Sequence, residues 1–182
     1  AGIAGSFSVT VIDDVTEAYI ADRTSSATAG SIDSAADINV VAKGDFAVIG
    51  TAGALAIGGT AGVGLGADVG VVTTKTHAYV GDRANLVAGN SVIVQALGRE
   101  DILSLSIVGA VGGSAAGVAV TAGVSVMNVD TTAHIGVSAS VKADSNVVLQ
   151  AFDTTGSNVI SGNIAIGGAA AVGVGAGVSV LN

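Results

Sequence analysis

The chain has 182 residues with 28 glycines, no proline and 3% aromatics, and half of it is apolar, mostly Ala and Val. Large core residues stabilise by roughly 1.5–3 kcal/mol each when buried, so this composition must rely on many small regular contacts and a hydrogen-bonded ladder. A net charge of −8 without any Lys/Arg run excludes nucleic acid as a partner, and the absence of Cys excludes a disulfide framework and thiol chemistry.

Taken in order, residues 1–13 (AGIAGSFSVTVID) read as the end of a repeat, and no signal-peptide pattern opens the chain at Ala1. Phe7-Ser8-Val9 aligns with Val124-Ser125-Val126, and Asp13 with Asp130, both 117 residues on. Copy one spans 14–75 and opens TEAYIADRT, copy two spans 76–130 and opens THAYVGDRA, and copy three spans 131–182 and stops short at VSVLN. Ala42, Ala96 and Ala151 close valine-rich strands 54 and 55 residues apart, and diglycines at Gly58, Gly112 and Gly167 repeat at the same spacing. Ala67, Ala122 and Ala176 recur at 55 and 54. Three markers with one period make 1–182 one continuous repeat domain. Ala18 and Ala78 lie 60 apart, so copy one carries about six extra residues, assigned to the polar segment 24–35, where a loop absorbs them cheaply.

Within a copy, 18 residues separate Ala78 from Ala96, 16 separate Ala96 from Gly112, and 21 separate Gly112 from Ala133. Units of this size suit one turn of a β-solenoid (β-helix). The expected fold is therefore an all-β, elongated solenoid of Gly/Ala/Val-rich rungs, about three rungs per 55-residue repeat and nine or ten in all. Gly is expected at the corners, supplying positive φ. The alternative is an antiparallel hairpin array or sandwich, with each diglycine a tight turn.

Three windows lack charge: 46–67, 102–129 and 154–182. Their length would permit membrane helices, but Val172, Val174, Ala176, Val178 and Val180 alternate with small residues at period two. Each interior Gly would cost a helix about 1 kcal/mol, so strands are expected and membrane insertion is not.

Sites are sparse. His77 and His134 are the only histidines. One precedes its alanine marker and the other follows, and the expectation is that they face opposite sides and share no metal. Acids are expected mostly at rung corners, beside turn-forming residues. Asp13, Asp14 and Glu17 form the densest acidic cluster and are weak calcium candidates, since both the repeat and the loop motifs of calcium proteins are absent. No G-x-G-x-x-G, no G-x-S-x-G and no aromatic sugar platform is present, so no catalytic residue and no cofactor is assigned and an enzyme is not expected. Tyr19 and Tyr79 share one repeat position, beside Asp22-Arg23 and Asp82-Arg83, and read as a stacked surface feature or a ligand-binding ladder.

AYVGDRANLVAGNSVIVQA (78–96) followed by IVGAVGGSAAGVAVTAGVSVMN (107–128) resembles repeats of very large bacterial surface and secreted proteins, the filamentous-haemagglutinin-like exoproteins and leukotoxin-type filamentous adhesins. The likeness covers 76–128 and 131–182 well and 14–75 less well, with Asp68 and Thr73-Thr74 departing from its last segment. It implies export to the bacterial cell surface, a stalk of many repeats, and work in adhesion or biofilm. The expected function is a structural, non-enzymatic segment of such an adhesin, whose partners are neighbouring repeats, further copies end to end, or a host ligand. A self-assembling fibre subunit and a membrane-active toxin segment are the alternatives.

Overall fold

Nothing in this chain interrupts a β ladder. Proline, which would remove a backbone donor, is absent, and β-branched residues alternate with small ones over long stretches. The computed structural model, which describes residues 1–23 and 31–182, accordingly contains strands of unusual length. In chain order they are β1 (Gly2–Ile20), β2 (Ile32–Ser34), β3 (Ile38–Gly58), β4 (Gly62–Val80), β5 (Asn85–Ala88), β6 (Val92–Gly112), β7 (Ala116–Ile135), β8 (Ser140–Ala143), β9 (Val147–Gly167) and β10 (Ala170–Leu181).

Three parallel sheets result. One long sheet has the order β1-β4-β7-β10, the other β3-β6-β9, and a short sheet runs β2-β5-β8. Every pair is in register with its equivalent one repeat away: Ala42 with Ala96 and Ala96 with Ala151, Ala67 with Ala122 and Ala122 with Ala176, Gly58 with Gly112 and Gly112 with Gly167. The chain is a β-solenoid, and the three sequence markers each stack into a column along its axis.

One repeat makes one rung, not three. The spacings of 18, 16 and 21 residues are legs of a single circuit: across the short strand, along the second long strand, then over the turn and back along the first. The strands of three rungs and the first strand of a fourth are present among the described residues. At about 4.8 Å per rung and 3.3 Å per residue, they stand about 15 Å tall, while a 21-residue strand reaches about 70 Å. The molecule is extended along its strands rather than its axis.

The diglycines do mark turns, as the antiparallel alternative required, but the strands they join do not hydrogen-bond to each other. β3 and β4 belong to different sheets and face each other through side chains, so each turn is an arch between layers. All strand pairing is parallel.

Two further expectations change. No described glycine has positive φ, and left-handed backbone falls instead on Arg83 (φ 57°) and Ser138 (φ 59°), which occupy one corner position in successive rungs. Most glycines serve close approach: Val108 projects between Gly64 and Gly66, where an added Cβ would lie 2.6 and 2.5 Å from its two methyls. The 117-residue alignment of the first strand is also displaced by two, since Phe7 stacks on Ala67 and Ala122, 115 residues on, and Asp13 on Thr73 and Asn128. A two-residue slip keeps every side chain on its own face, so alternation alone does not detect it. The insertion in copy one lies between Ile20, paired at an offset of 60, and Ile32, paired at 54; residues 24–30 of the segment assigned to it lie outside the described residues.

The rung has two parts. Where the short strand closes a triangle, Val80, Leu86 and Val94 bring the three sheets together, and Leu86 is fully buried. Beyond it the two long sheets lie flat on each other, through Val72, Ile102 and Met127 and then through Val108, Ala110 and Ala119. We call these parts the head and the blade.

Candidate functional site

Polar chemistry concentrates in the head and at its junction with the blade. On the outer face of the first long sheet, Tyr19 stacks on Tyr79 with centroids 5.1 Å apart and planes 7° apart, and Tyr79 stacks on His134 at 5.0 Å and 4°. In-register parallel pairing puts equivalent side chains about one rung apart, which is the spacing a ring ladder needs. Burial within this stack, with the charge of Glu17 next, raises Tyr79 above the usual tyrosine range.

Two positions along the strand, His77 sits between acids, its Nδ1 3.8 Å from Glu17 Oε1 and its Nε2 3.2 Å from Asp130 Oδ2. Both histidines therefore face outward, contrary to the expectation of opposite sides. Each lies one residue from an inward alanine, one before and one after, and both displacements lead to the same face. The column of Tyr19 and Tyr79 thus has a third member that the alignment on Ala133 already implied.

Strand alternation also divides the calcium candidates. Asp13 and Glu17 point outward, four residues apart along β1, while Asp14 points inward between them. The three carboxylates do not converge, and no group of three or more metal-ligating side chains forms among the described residues. Nor do most acids occupy corners. Asp22, Asp37, Asp82 and Asp144 lie between strands, and the other acids lie within them. Two corner acids tie rung to rung: Asp22 Oδ1 accepts the Asp82 amide at 2.8 Å, and Asp82 Oδ1 accepts the Val137 amide at 2.7 Å. Asp37 does the same at the next corner, accepting from Asn90 Nδ2 and the Ser91 amide at 2.8 and 2.9 Å.

Inside the junction, Glu100 is 1% exposed and faces Asp153 of the next rung. Burial, then the charge of Asp153 and a hydrogen bond to it, lift Glu100 from the usual carboxyl range to about 7. Thr74 donates to Glu100 Oε1 at 3.2 Å and Thr131 to Asp153 Oδ2 at 2.7 Å, while the Thr155 hydroxyl donates to Asp153 Oδ1 at 2.6 Å and lies 3.4 Å from Glu100 Oε2. Glu100 therefore keeps its proton to a higher pH than an ordinary glutamate. The expectation that acids lie mostly at corners gave Glu100 no role. The alternation that sends Glu100 inward and Asp101 outward was the available signal.

The blade has a different character. Asp68, Ser104, Ser106, Thr121 and Ser125 are buried between its sheets, with Ser104 donating to Asp68. Its outward positions in the central rung are apolar: Val63, Leu65, Ala67, Val69 and Val71 on β4, and Leu103, Leu105, Ile107 and Val111 on β6. A shallow concavity of about 490 Å³ lies on this face among Phe7, Leu65, Ala67 and Val120. No protein family, curated protein or solved structure matches the chain.

Proposed function

We propose that this chain is a structural, non-enzymatic repeat segment of an extracellular bacterial adhesin or filament, giving length and rigidity to a surface stalk. The observation that carries the reading is the in-register parallel stacking of equivalent rungs. Any rung can be followed by another, because each long strand carries the same alternation and the same outward columns. Such an array is quasi-one-dimensional, with each rung stabilised by its neighbours. The resemblance of 76–128 and 131–182 to repeats of filamentous exoproteins supports the bacterial cell surface as its setting. The ring ladder and the corner acids read in this frame as braces between rungs, and the partners are further repeats or copies, with a host ligand as the remaining possibility.

The outer edges of β1 and β10 pair on one side only among the described residues, and each offers a row of backbone donors and acceptors. The same feature supports a self-assembling fibre subunit as the second reading. Sedimentation across a hundredfold concentration range tests both. Association that grows with concentration, and is lost when proline is placed in β10 as Ser179→Pro, is expected; a strict monomer throughout contradicts end-to-end stacking. Many separate chains per filament on cells would favour the fibre over the stalk.

A further inference from the structure

We propose that the blade is a lipid-inserting wedge, with its strands along the bilayer normal and the charged head at the headgroups. The inference goes beyond the structural reading above and rests on different observations. The first is an inversion of polarity. In the central rung, flanked on both sides by other rungs, Leu65 is 48% and Ile107 50% exposed, whereas Asp68 and Ser104 of the same two strands are buried. Outward side chains are almost all apolar and several are large, while inward positions mix apolar contacts such as Val108 with Gly, Ser, Thr and Asp68, whereas a coil built for water turns its polar side chains outward. Period-two alternation argued against membrane helices, and among the described residues no helix long and apolar enough to cross a membrane exists. It leaves lipid-facing strands untouched.

The second observation is geometric. The three uncharged windows of the sequence fold as three stacked arches, so both faces of the blade and its rim are free of charge. On β4 the uncharged outward stretch ends at Thr73-Lys75 and on β6 at Asp101, which stand at the same height because Val72 packs on Ile102 and Thr74 reaches Glu100. From Gly62 to Val72 the strand has 11 residues. That is about 33 Å at 3.3 Å per residue, against a hydrocarbon thickness of about 30 Å and the 9–11 residues typical of a membrane-crossing strand.

A second copy is the competing occupant, and the areas disfavour it. Four strands of about 33 Å at 4.8 Å spacing make one face of roughly 600 Å², and three make the other roughly 500 Å². The first lies at the bottom of the roughly 600–1,000 Å² per partner of a standard interface and the second below it. Covering either would leave the opposite face and the rim bare, whereas lipid covers all three. Backbone groups between rungs are already paired, and in the blade only the outer edges of β1, β3, β9 and β10 need a further rung among the described residues, so insertion goes with end-to-end pairing of copies.

The test uses single tryptophans in the full chain, which has none of its own, at two outward positions of β6: Ile107→Trp in the blade and Gln95→Trp in the head. Phosphatidylcholine vesicles serve as probe, with and without acyl-chain-brominated lipid. The expected result is a blue shift and quenching by brominated lipid at position 107, neither at 95, and flotation of the chain with vesicles. Leu65→Asp with Leu105→Asp should abolish flotation while leaving the far-ultraviolet β spectrum unchanged. An unquenched position 107 would overturn the proposal, as would a blue shift there that follows protein concentration without vesicles, which would assign the face to a second copy. Flotation by a chain that stays monomeric in buffer would contradict stacking as the chain's role in solution while the wedge survives.

Discussion

The most quantitative consequence concerns the proton that Glu100 keeps beside Asp153. Replacing Glu100 by Gln keeps a donor toward Asp153 and an acceptor toward Thr74 but removes the titration. In the folded chain the Glu100 carboxyl titrates at about 7, against 4.5 for an ordinary glutamate. Between these values the folded state retains a proton that the unfolded state releases. The stabilisation is therefore complete below about pH 4.5, declines as pH rises, and is gone above about 7. Two and a half units at 1.36 kcal/mol each set an upper bound of about 3 kcal/mol. Asp153 lies on β9, paired on one side only among the described residues, so solvent screens the pair and about 1–2 kcal/mol is the expected effect. Urea unfolding followed by circular dichroism at pH 5 and pH 8 gives the difference. The parent chain should lose about 1–2 kcal/mol more than Glu100→Gln between the two pH values. Equal pH dependence in both, or a parent chain that gains on Glu100→Gln toward pH 8, would refute the raised titration of Glu100.

Other positions carry expectations of their own. Gly64→Ala should cost about 1–3 kcal/mol, because the new Cβ would stand 2.6 Å from Val108 Cγ1 and 2.8 Å from the Gly109 carbonyl, and Val108→Ala should recover part of that loss in a double-mutant cycle. Gly70→Ala, in the same strand and on the same face, meets nothing within 4 Å and should be neutral or stabilising by up to about 1 kcal/mol. A loss at Gly70 as large as at Gly64 would mean that close sheet approach is not the reason for glycine here. Asp82→Ala leaves the Val137 amide without its acceptor and should cost about 1–3 kcal/mol, seen as a lower urea midpoint; no change would mean that corner acids do not brace the rungs.

The period and the strand class were legible because in-register stacking selects the same residue type at each rung, leaving Ala42-Ala96-Ala151 and the diglycines as columns in the sequence. The rung count was not. Ala96 and Gly112 mark the two ends of one side of a rung, and nothing in their identities distinguishes a side from a full turn. Periodicity also separates two faces without saying which is inside. The reflex that places Val and Leu inward is reversed in the blade, where Gly64 and Gly66 let the sheets approach and Leu65 points out. The clue was present in the size asymmetry, since alternate positions that are nearly all Gly cannot fill an outer surface and need not. At the head, the histidine assignment failed on counting alone, and the Glu100–Asp153 pair lay beyond any sequence reading that lacked the rung-to-rung register.

One repeat per rung, stacked parallel and in register, is the claim on which the rest depends. Gln95 and Gln150 project from the same outer face of adjacent rungs, with Gln95 Nε2 donating to Gln150 Oε1 at 3.0 Å. The chain contains no cysteine, so Gln95→Cys with Gln150→Cys introduces a single thiol pair. A bimane cross-linker that fluoresces only after joining two thiols should light up on this pair at dilute, monomeric concentration, since adjacent rungs stand about 4.8 Å apart. Gln95→Cys with Val111→Cys, 16 residues along the same strand and about 53 Å away, should stay dark. Three rungs per repeat would reverse the outcome, placing the first pair about 14 Å apart and the second in adjacent rungs.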